Sequence, residues 1–179
     1  MKLLIELPTW LGDTVMATPA IENLVRHFDN VKITLLGSVA SVEALKNHPK
    51  VIQTYVVDKN CSDFYKIFME FEDFDMYFSF RNSLRAKLIK FCISSKIKHQ
   101  FAKKKYIKGH QVEKYNNFIN DSLNINNTAG RLALHNAGQI QDKKNKLLGI
   151  NPGASYGSAK RWYPKEFADV AFNLSSEYD

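Results

Sequence analysis

The chain has 179 residues, 45% of them apolar, and a formal charge of +7. That length and composition suit one ordinary domain, or one domain plus part of another, and exclude an intrinsically disordered chain. No stretch approaches about 20 uncharged apolar residues, the N-terminus lacks a secretory core and cleavage site, and Cys61 and Cys92 stand alone. A reducing, cytoplasmic setting is expected, with no zinc site and no disulfide framework.

Strand and helix patterns then alternate. KLLIEL (2–7) reads as a buried strand, followed by a helix from about Thr14 to Phe28. Pro19 lies inside that helix and is expected to kink or split it, with Thr18 capping the second piece. VKITLLG (31–37) is a second strand, and Ser38 is an N-cap for a helix reaching about Asn47. VIQTYVVD (51–58) is a third strand, Phe64 to Phe71 a short helix, and FDMYFSF (74–80) a fourth strand. Residues 82–95 read as a helix with Leu84, Leu88, Phe91 and Cys92 on one apolar face, and Arg85, Lys87 and Lys90 off it. KIKHQFA (96–102) is a fifth strand and Val112 to Ile125 a further helix.

This rhythm predicts an α/β, Rossmann-like parallel sheet with helices on both faces, as residues 1–125. Residues 126–146 turn polar and read as a linker or peripheral segment. LLGIN (147–151) starts another strand, followed by PGASYGSAKRW and a helix opening at Tyr163-Pro164. One strand, one loop and one helix cannot bury a core, so residues 147–179 read as the truncated start of a second α/β domain.

The charge is concentrated. Between Arg81 and Lys114 there are eleven Lys or Arg residues and a single acid, Glu113. Arg81, Arg85, Lys103, Lys104 and Lys105 are candidates for a surface that attracts an anionic partner. The alternative is a solvated helix face and loop.

Two loops could carry chemistry. The first, LPTWLGD (7–13), ends the first strand, where open α/β sheets bind their ligands. It lacks the glycine pattern of a dinucleotide site, and Asp13 would repel a phosphate there. Asp13 is either a helix N-cap or a general base aimed at a hydroxyl, and residue type favours the cap. Gly12 is expected to shape the turn. The second loop holds Gly153, Gly157, Ser155, Ser158, Lys160 and Arg161 between a strand and a helix. These are the parts of a phosphate cradle, although the spacing departs from a Walker A motif. The five histidines show no paired spacing, and no hydrolase elbow is present.

Taken together, "LPTWLGDTVMATPAI" and "NPGASYGSAKRWYPKEFADVA" resemble the ADP-heptose:lipopolysaccharide heptosyltransferases, glycosyltransferase family 9, and most closely their heptosyltransferase II branch. "FDMYFSFRNSLRAKLIKF" and "HQVEKY" resemble the family's fourth strand with its Asn-Ser helix, and a helix start. The resemblance implies the N-terminal half of a GT-B fold, with acceptor on the first domain and sugar nucleotide on the second. It implies inverting transfer of heptose from ADP-L-glycero-D-manno-heptose to the lipopolysaccharide inner core, adding the second heptose. Asp13 matches the proposed base, and Ser155 and Lys160 match donor-diphosphate contacts. Neither a cofactor nor a metal is implied; ADP-heptose is a substrate. A cytoplasmic enzyme peripheral to the inner membrane is expected, with no nucleic-acid partner and no activity from these residues alone. The alternatives are a non-catalytic module binding an anionic glycan, and a GT-B transferase using another nucleotide sugar.

Overall fold

The computed structural model describes residues 1–57, 71–135, 146–154 and 157–178. They belong to two compact units, Met1–Ala137 and Gly138–Asp179. Cys61, Ser155 and the helix expected from Phe64 lie outside the described residues.

In the first unit the chain runs β1 (Lys2–Glu6), α1 (Leu11–His27), β2 (Lys32–Gly37), α2 (Val39–Leu45), β3 (Val51–Val56), β4 (Phe74–Ser79), α3 (Leu84–Cys92), β5 (Ser95–Gln100) and α4 (Gln111–Leu123). The five strands form one sheet in the order β3-β2-β1-β4-β5, and every pairing is parallel. The central strands are apolar on both sides because helices cover both faces. Leu3, Ile5 and Leu7 join Ile33, Leu35, Met76 and Phe78 under α1, α2 and α4. Leu4, Leu36 and Tyr77 join Ile89 and Ile93 under α3.

α1 is one unbroken helix through Pro19, contrary to the expected split. Proline has no N–H to give the carbonyl of Val15, four residues back. The Thr18 hydroxyl donates to that carbonyl instead, at 2.8 Å, so the orphaned acceptor is satisfied. Thr18 is therefore a mid-helix patch, not a cap. Ser38 does cap α2, accepting from the Ser41 amide. Gly37 sits at a close approach, where a Cβ would stand 3.2 Å from Leu7 Cβ and press on the fully buried Leu7.

α3 differs from expectation in which face it buries. Ala86, Ile89 and Ile93 are packed, whereas Leu84, Leu88 and Phe91 are 80%, 67% and 85% exposed. Cys92 is exposed as well. Both sets have helical spacing, and at 3.6 residues per turn their mean directions lie roughly 160–180° apart. Periodicity could not choose between the two stripes.

The segment after α4 is strapped onto α1 and α4 by amides. Asn23 Nδ2 donates to Asn116 Oδ1 at 2.7 Å and to the Thr128 carbonyl at 2.9 Å. Asn116 and Asn120 both donate to the Asn127 carbonyl. The Ala133 amide donates to Thr18 Oγ1.

In the second unit, residues 147–151 form no strand, contrary to expectation. A strand needs a neighbour to complete its hydrogen bonds, and the described residues of this unit offer none. A 3₁₀ turn spans Ser158–Lys160, and α5 spans Pro164–Leu174 with Pro in its first turn. No described residue of this unit is buried, and Phe172 on α5 is 80% exposed.

Candidate functional site

Strand order reverses beside β1: the chain builds β2 and β3 to one side, then β4 and β5 to the other. The crevice at the carboxyl ends of β1 and β4 is therefore where a ligand is expected. Among the described residues, the loops 7–10 after β1, 80–83 after β4 and 101–110 after β5 leave the sheet at that edge, beside the β2–α2 connection at Ser38.

The first loop is held down firmly. The Pro8 carbonyl accepts from Ser41 Oγ at 2.7 Å, and the Thr9 carbonyl accepts from Ser38 Oγ at 3.0 Å. Thr14 Oγ1 donates to the Trp10 carbonyl at 3.1 Å. Trp10 occupies the N-cap position and its side chain makes no capping bond. Asp13 is thus the third residue of α1, not its cap, and this removes the reading that residue type favoured.

Its carboxylate is half-buried and, among the described residues, accepts no hydrogen bond. The positive end of the helix dipole favours its charge. Gly12 sits in the same first turn, where a Cβ would meet nothing within 4 Å. The turn does not demand glycine, and the space where a side chain would stand is open.

Tyr115 on α4 packs against Phe80 and Phe101 and lies near enough to Asp13 to feel its charge. Burial pushes its hydroxyl up to about 12, and the Asp13 charge adds to the shift. The "HQVEKY" segment thereby joins the Asp13 loop. His110 caps α4, and the Glu113 side chain reaches back to the His110 amide in a capping box.

Below the crevice lies a buried polar cluster. Glu6 ends β1, is fully buried, and stands in register with Ser79 at the end of β4. Tyr77 Oη and Ser79 Oγ both donate to Glu6 Oε2, at 2.6 and 2.5 Å. Arg81 Nη1 is 3.7 Å from Oε1, which has no hydrogen-bond partner. Burial, then the Glu6 charge, drives the Tyr77 hydroxyl far above its ordinary range. Arg81 is consequently committed to an internal carboxylate, although part of its side chain still meets solvent.

The other basic candidates spread around the same end of the sheet. Arg85 is half-buried in the first turn of α3. Lys103, Lys104 and Lys105 form the turn after β5. Lys105 pairs with Asp121 at 2.6 Å and lies over the Tyr106 ring, which reduces its availability. Lys103 and Lys104 are exposed.

In the second unit, Gly157 has φ of +77°, a region that favours glycine. Gly153 donates its amide to Asn151 Oδ1, and Arg161 Nε donates to the Ala154 carbonyl at 3.2 Å. Asn151, Pro152, Gly153, Ala154 and Arg161 line a shallow hollow. Lys160 ends the 3₁₀ turn and is exposed.

Glu22, His48 and His135 also gather, with ligand atoms within 4.8 Å of one another. His48 Nδ1 accepts from the Lys50 amide at 3.0 Å, so its proton sits on Nε2, directed at Glu22 Oε1. A metal at Nε2 would force a proton onto Nδ1, against that amide. The trio is a hydrogen-bonded clasp, in which Glu22 also holds His135 at the end of the strap.

Comparison with known proteins now bears on these features. No protein-family model matches the chain. A lipooligosaccharide heptosyltransferase 2 of Campylobacter jejuni serotype O:2 is 39% identical over 189 residues, covering all of this chain and 58% of that protein. The chain is similar to a heptosyltransferase along its whole length. It spans less than two thirds of that relative. Among solved structures, a glycosyl transferase family 9 protein of Veillonella parvula matches with a TM-score of 0.76 at 18% identity, over 99% of this chain and 60% of that one. The E. coli ADP-heptose lipopolysaccharide heptosyltransferase II matches with a TM-score of 0.73 at 18% identity, over 99% and 62%. The α/β fold is shared with these transferases.

Beside the heptosyltransferase-like motifs, the structure adds Glu6, Tyr77 and Ser79, which sequence reasoning did not select. Their signal was a single one: a carboxylate closing an otherwise apolar strand, KLLIEL.

Proposed function

We propose that the chain belongs to the heptosyltransferases of glycosyltransferase family 9 and forms the acceptor-side part of such an enzyme. The reaction is inverting transfer of heptose from ADP-L-glycero-D-manno-heptose to the inner core of lipopolysaccharide, at the second heptose. The observation that carries this reading is Asp13: a half-buried residue at the switch point, in the first turn of the helix that follows a fixed loop and not its N-cap.

Asp13 takes the proton from the acceptor hydroxyl as that oxygen attacks the anomeric carbon. A carboxylate suffices as the base because the attacked carbon develops oxocarbenium character and the proton leaves late. The helix start holds the charge ready without reorganisation. Tyr115 walls the carboxylate on the α4 side, and the Glu6 cluster fixes the β1–β4 floor. Lys103 and Lys104 offer cations to the phosphates or carboxylates of the core. In the second unit, Ser155 and Lys160 hold the donor diphosphate, where Lys160 stabilises the departing ADP; no cofactor takes part. The site works at the cytoplasmic face of the inner membrane, as a peripheral protein. No described helix is long and apolar enough to cross a membrane.

Calorimetric titration of the 179-residue chain with a delipidated inner-core oligosaccharide tests the acceptor assignment. Binding is expected to weaken with salt, and Lys103→Glu with Lys104→Glu is expected to reduce it further. Unchanged affinity in that variant returns the two lysines to plain solvation and removes them from the site.

A further inference from the structure

α3 has two apolar stripes and the fold uses only one of them. Ala86, Ile89 and Ile93 face the sheet, while Leu84, Leu88 and Phe91 point to solvent. An aromatic and two leucines at i, i+4 and i+7 are far more apolar surface than one helix face of a soluble domain ordinarily leaves bare.

The surroundings of that stripe are cationic. Lys87 borders it on one side and Arg85 on the other, with Lys90 further round. The adjoining edge strand β5 adds Lys96 and Lys98; Lys98 is in register with Tyr77, whose side chain packs beneath α3. From Leu84 to Gln100 the sequence holds no Asp or Glu. Among the described residues, the acids that meet this edge are already engaged: Asp73 accepts from Ser94 Oγ, and Asp75 from Lys96 and the Lys2 amide.

Charge decides between the possible occupants. A second copy docking through the same stripe would bring Lys87 and Lys90 against themselves, since a two-fold contact pairs each patch with its like. A purely polar anion has no use for two leucines and a phenylalanine. A surface that is anionic at its headgroups and apolar just beneath satisfies both features at once.

We propose that the outward stripe of α3 docks on an anionic lipid bilayer, lying in its plane with Leu84, Leu88 and Phe91 inserted below the headgroups and Lys87 and Lys90 at their level. This rests on the peripheral-membrane reading above and names the element responsible. It also gives that reading a direction, because α3 begins at the carboxyl edge of β4 and so carries the crevice toward the surface that holds a lipid-anchored acceptor.

Co-sedimentation of the 179-residue chain with vesicles tests it. Phosphatidylcholine vesicles containing phosphatidylglycerol are expected to bind the chain, and pure phosphatidylcholine vesicles to bind it weakly. Lys87→Gln with Lys90→Gln is expected to lower the affinity roughly 25-fold. Leu88→Ser with Phe91→Ser is expected to lower it by about tenfold or more. Both variants should keep the wild-type circular dichroism spectrum and melting temperature, because Lys87, Leu88 and Phe91 are exposed and Lys90 is only half-buried and outside the core. Equal binding of variants and wild type overturns the proposal, as does equal binding to both kinds of vesicle. A dimer in sedimentation equilibrium that the Leu88/Phe91 variant dissolves overturns it in favour of a second copy. Loss of vesicle binding leaves acceptor binding in solution untouched, so the lipid and acceptor assignments fail separately.

Discussion

Replacing Tyr77 with phenylalanine deletes one of the two hydroxyls that neutralise the buried Glu6 carboxylate. The bond is short, 2.6 Å, and its acceptor is fully buried, so water cannot replace it. A hydrogen bond to a charged group contributes about 1.5–3 kcal/mol. The remaining Ser79 hydroxyl acts on the same oxygen, Oε2, and Arg81 stands 3.7 Å from the other. A loss of about 2 kcal/mol is expected, which lowers the urea midpoint by about 1 M at a slope typical of this size. The same change made in a Glu6→Leu background should cost almost nothing, because the phenol then has no carboxylate to lose. Urea unfolding followed by far-ultraviolet circular dichroism measures all four corners of the cycle. An equal cost in both backgrounds, or a cost under about 0.5 kcal/mol in the wild type, refutes the charge-assisted account of the cluster.

At high pH, Tyr77 and Tyr115 both keep their protons in the native state beyond the ordinary tyrosine value of 10, Tyr115 up to about 12. The unfolded chain releases them first, so stability should fall as pH rises from 10 toward 12, with tyrosinate absorbance tracking unfolding. Asp13→Asn should bring the Tyr115 titration down, and an unmoved titration would separate the two side chains. At low pH, burial holds His48 and His99 below the ordinary value of 6.5, against the pull of Glu22 on His48. The unfolded state therefore binds protons that the native state refuses, and the urea midpoint should drop as pH falls below 6.5. Asn116→Ala removes the strap's central amide, with an expected cost of about 2 kcal/mol and faster proteolytic cleavage within 126–135; unchanged cleavage would show the strap is held elsewhere.

The sheet was legible because β1, β2 and β4 carry apolar runs between turn residues, and the weaker β3 and β5 fall at the spacing the alternation sets. Strand and helix types followed from local pattern, and the parallel arrangement followed from their alternation. What local pattern could not reach were choices settled by neighbours. Asp13 has the residue type of a cap, yet the loop is fixed by Ser38 and Ser41 and the helix starts three residues earlier, with Trp10 at the cap position. α3 has two equivalent stripes, and only the position of the sheet selects Ile89 over Leu88. Pro19 is tolerated because of the Thr18 hydroxyl, a bond that spacing alone does not announce. Residues 126–135 read as a polar linker because their fastening is made of asparagine amides, which hydropathy counts as solvent-facing.

The most direct measurement substitutes this chain for the matching part of the Campylobacter jejuni relative and follows transfer of heptose from ADP-heptose to an inner-core acceptor. The hybrid should turn over, and Asp13→Asn in it should lower kcat by at least about 100-fold while leaving the unfolding midpoint within about 0.5 kcal/mol. Full turnover by the Asp13→Asn hybrid would contradict the assignment of the base and, with it, the central claim.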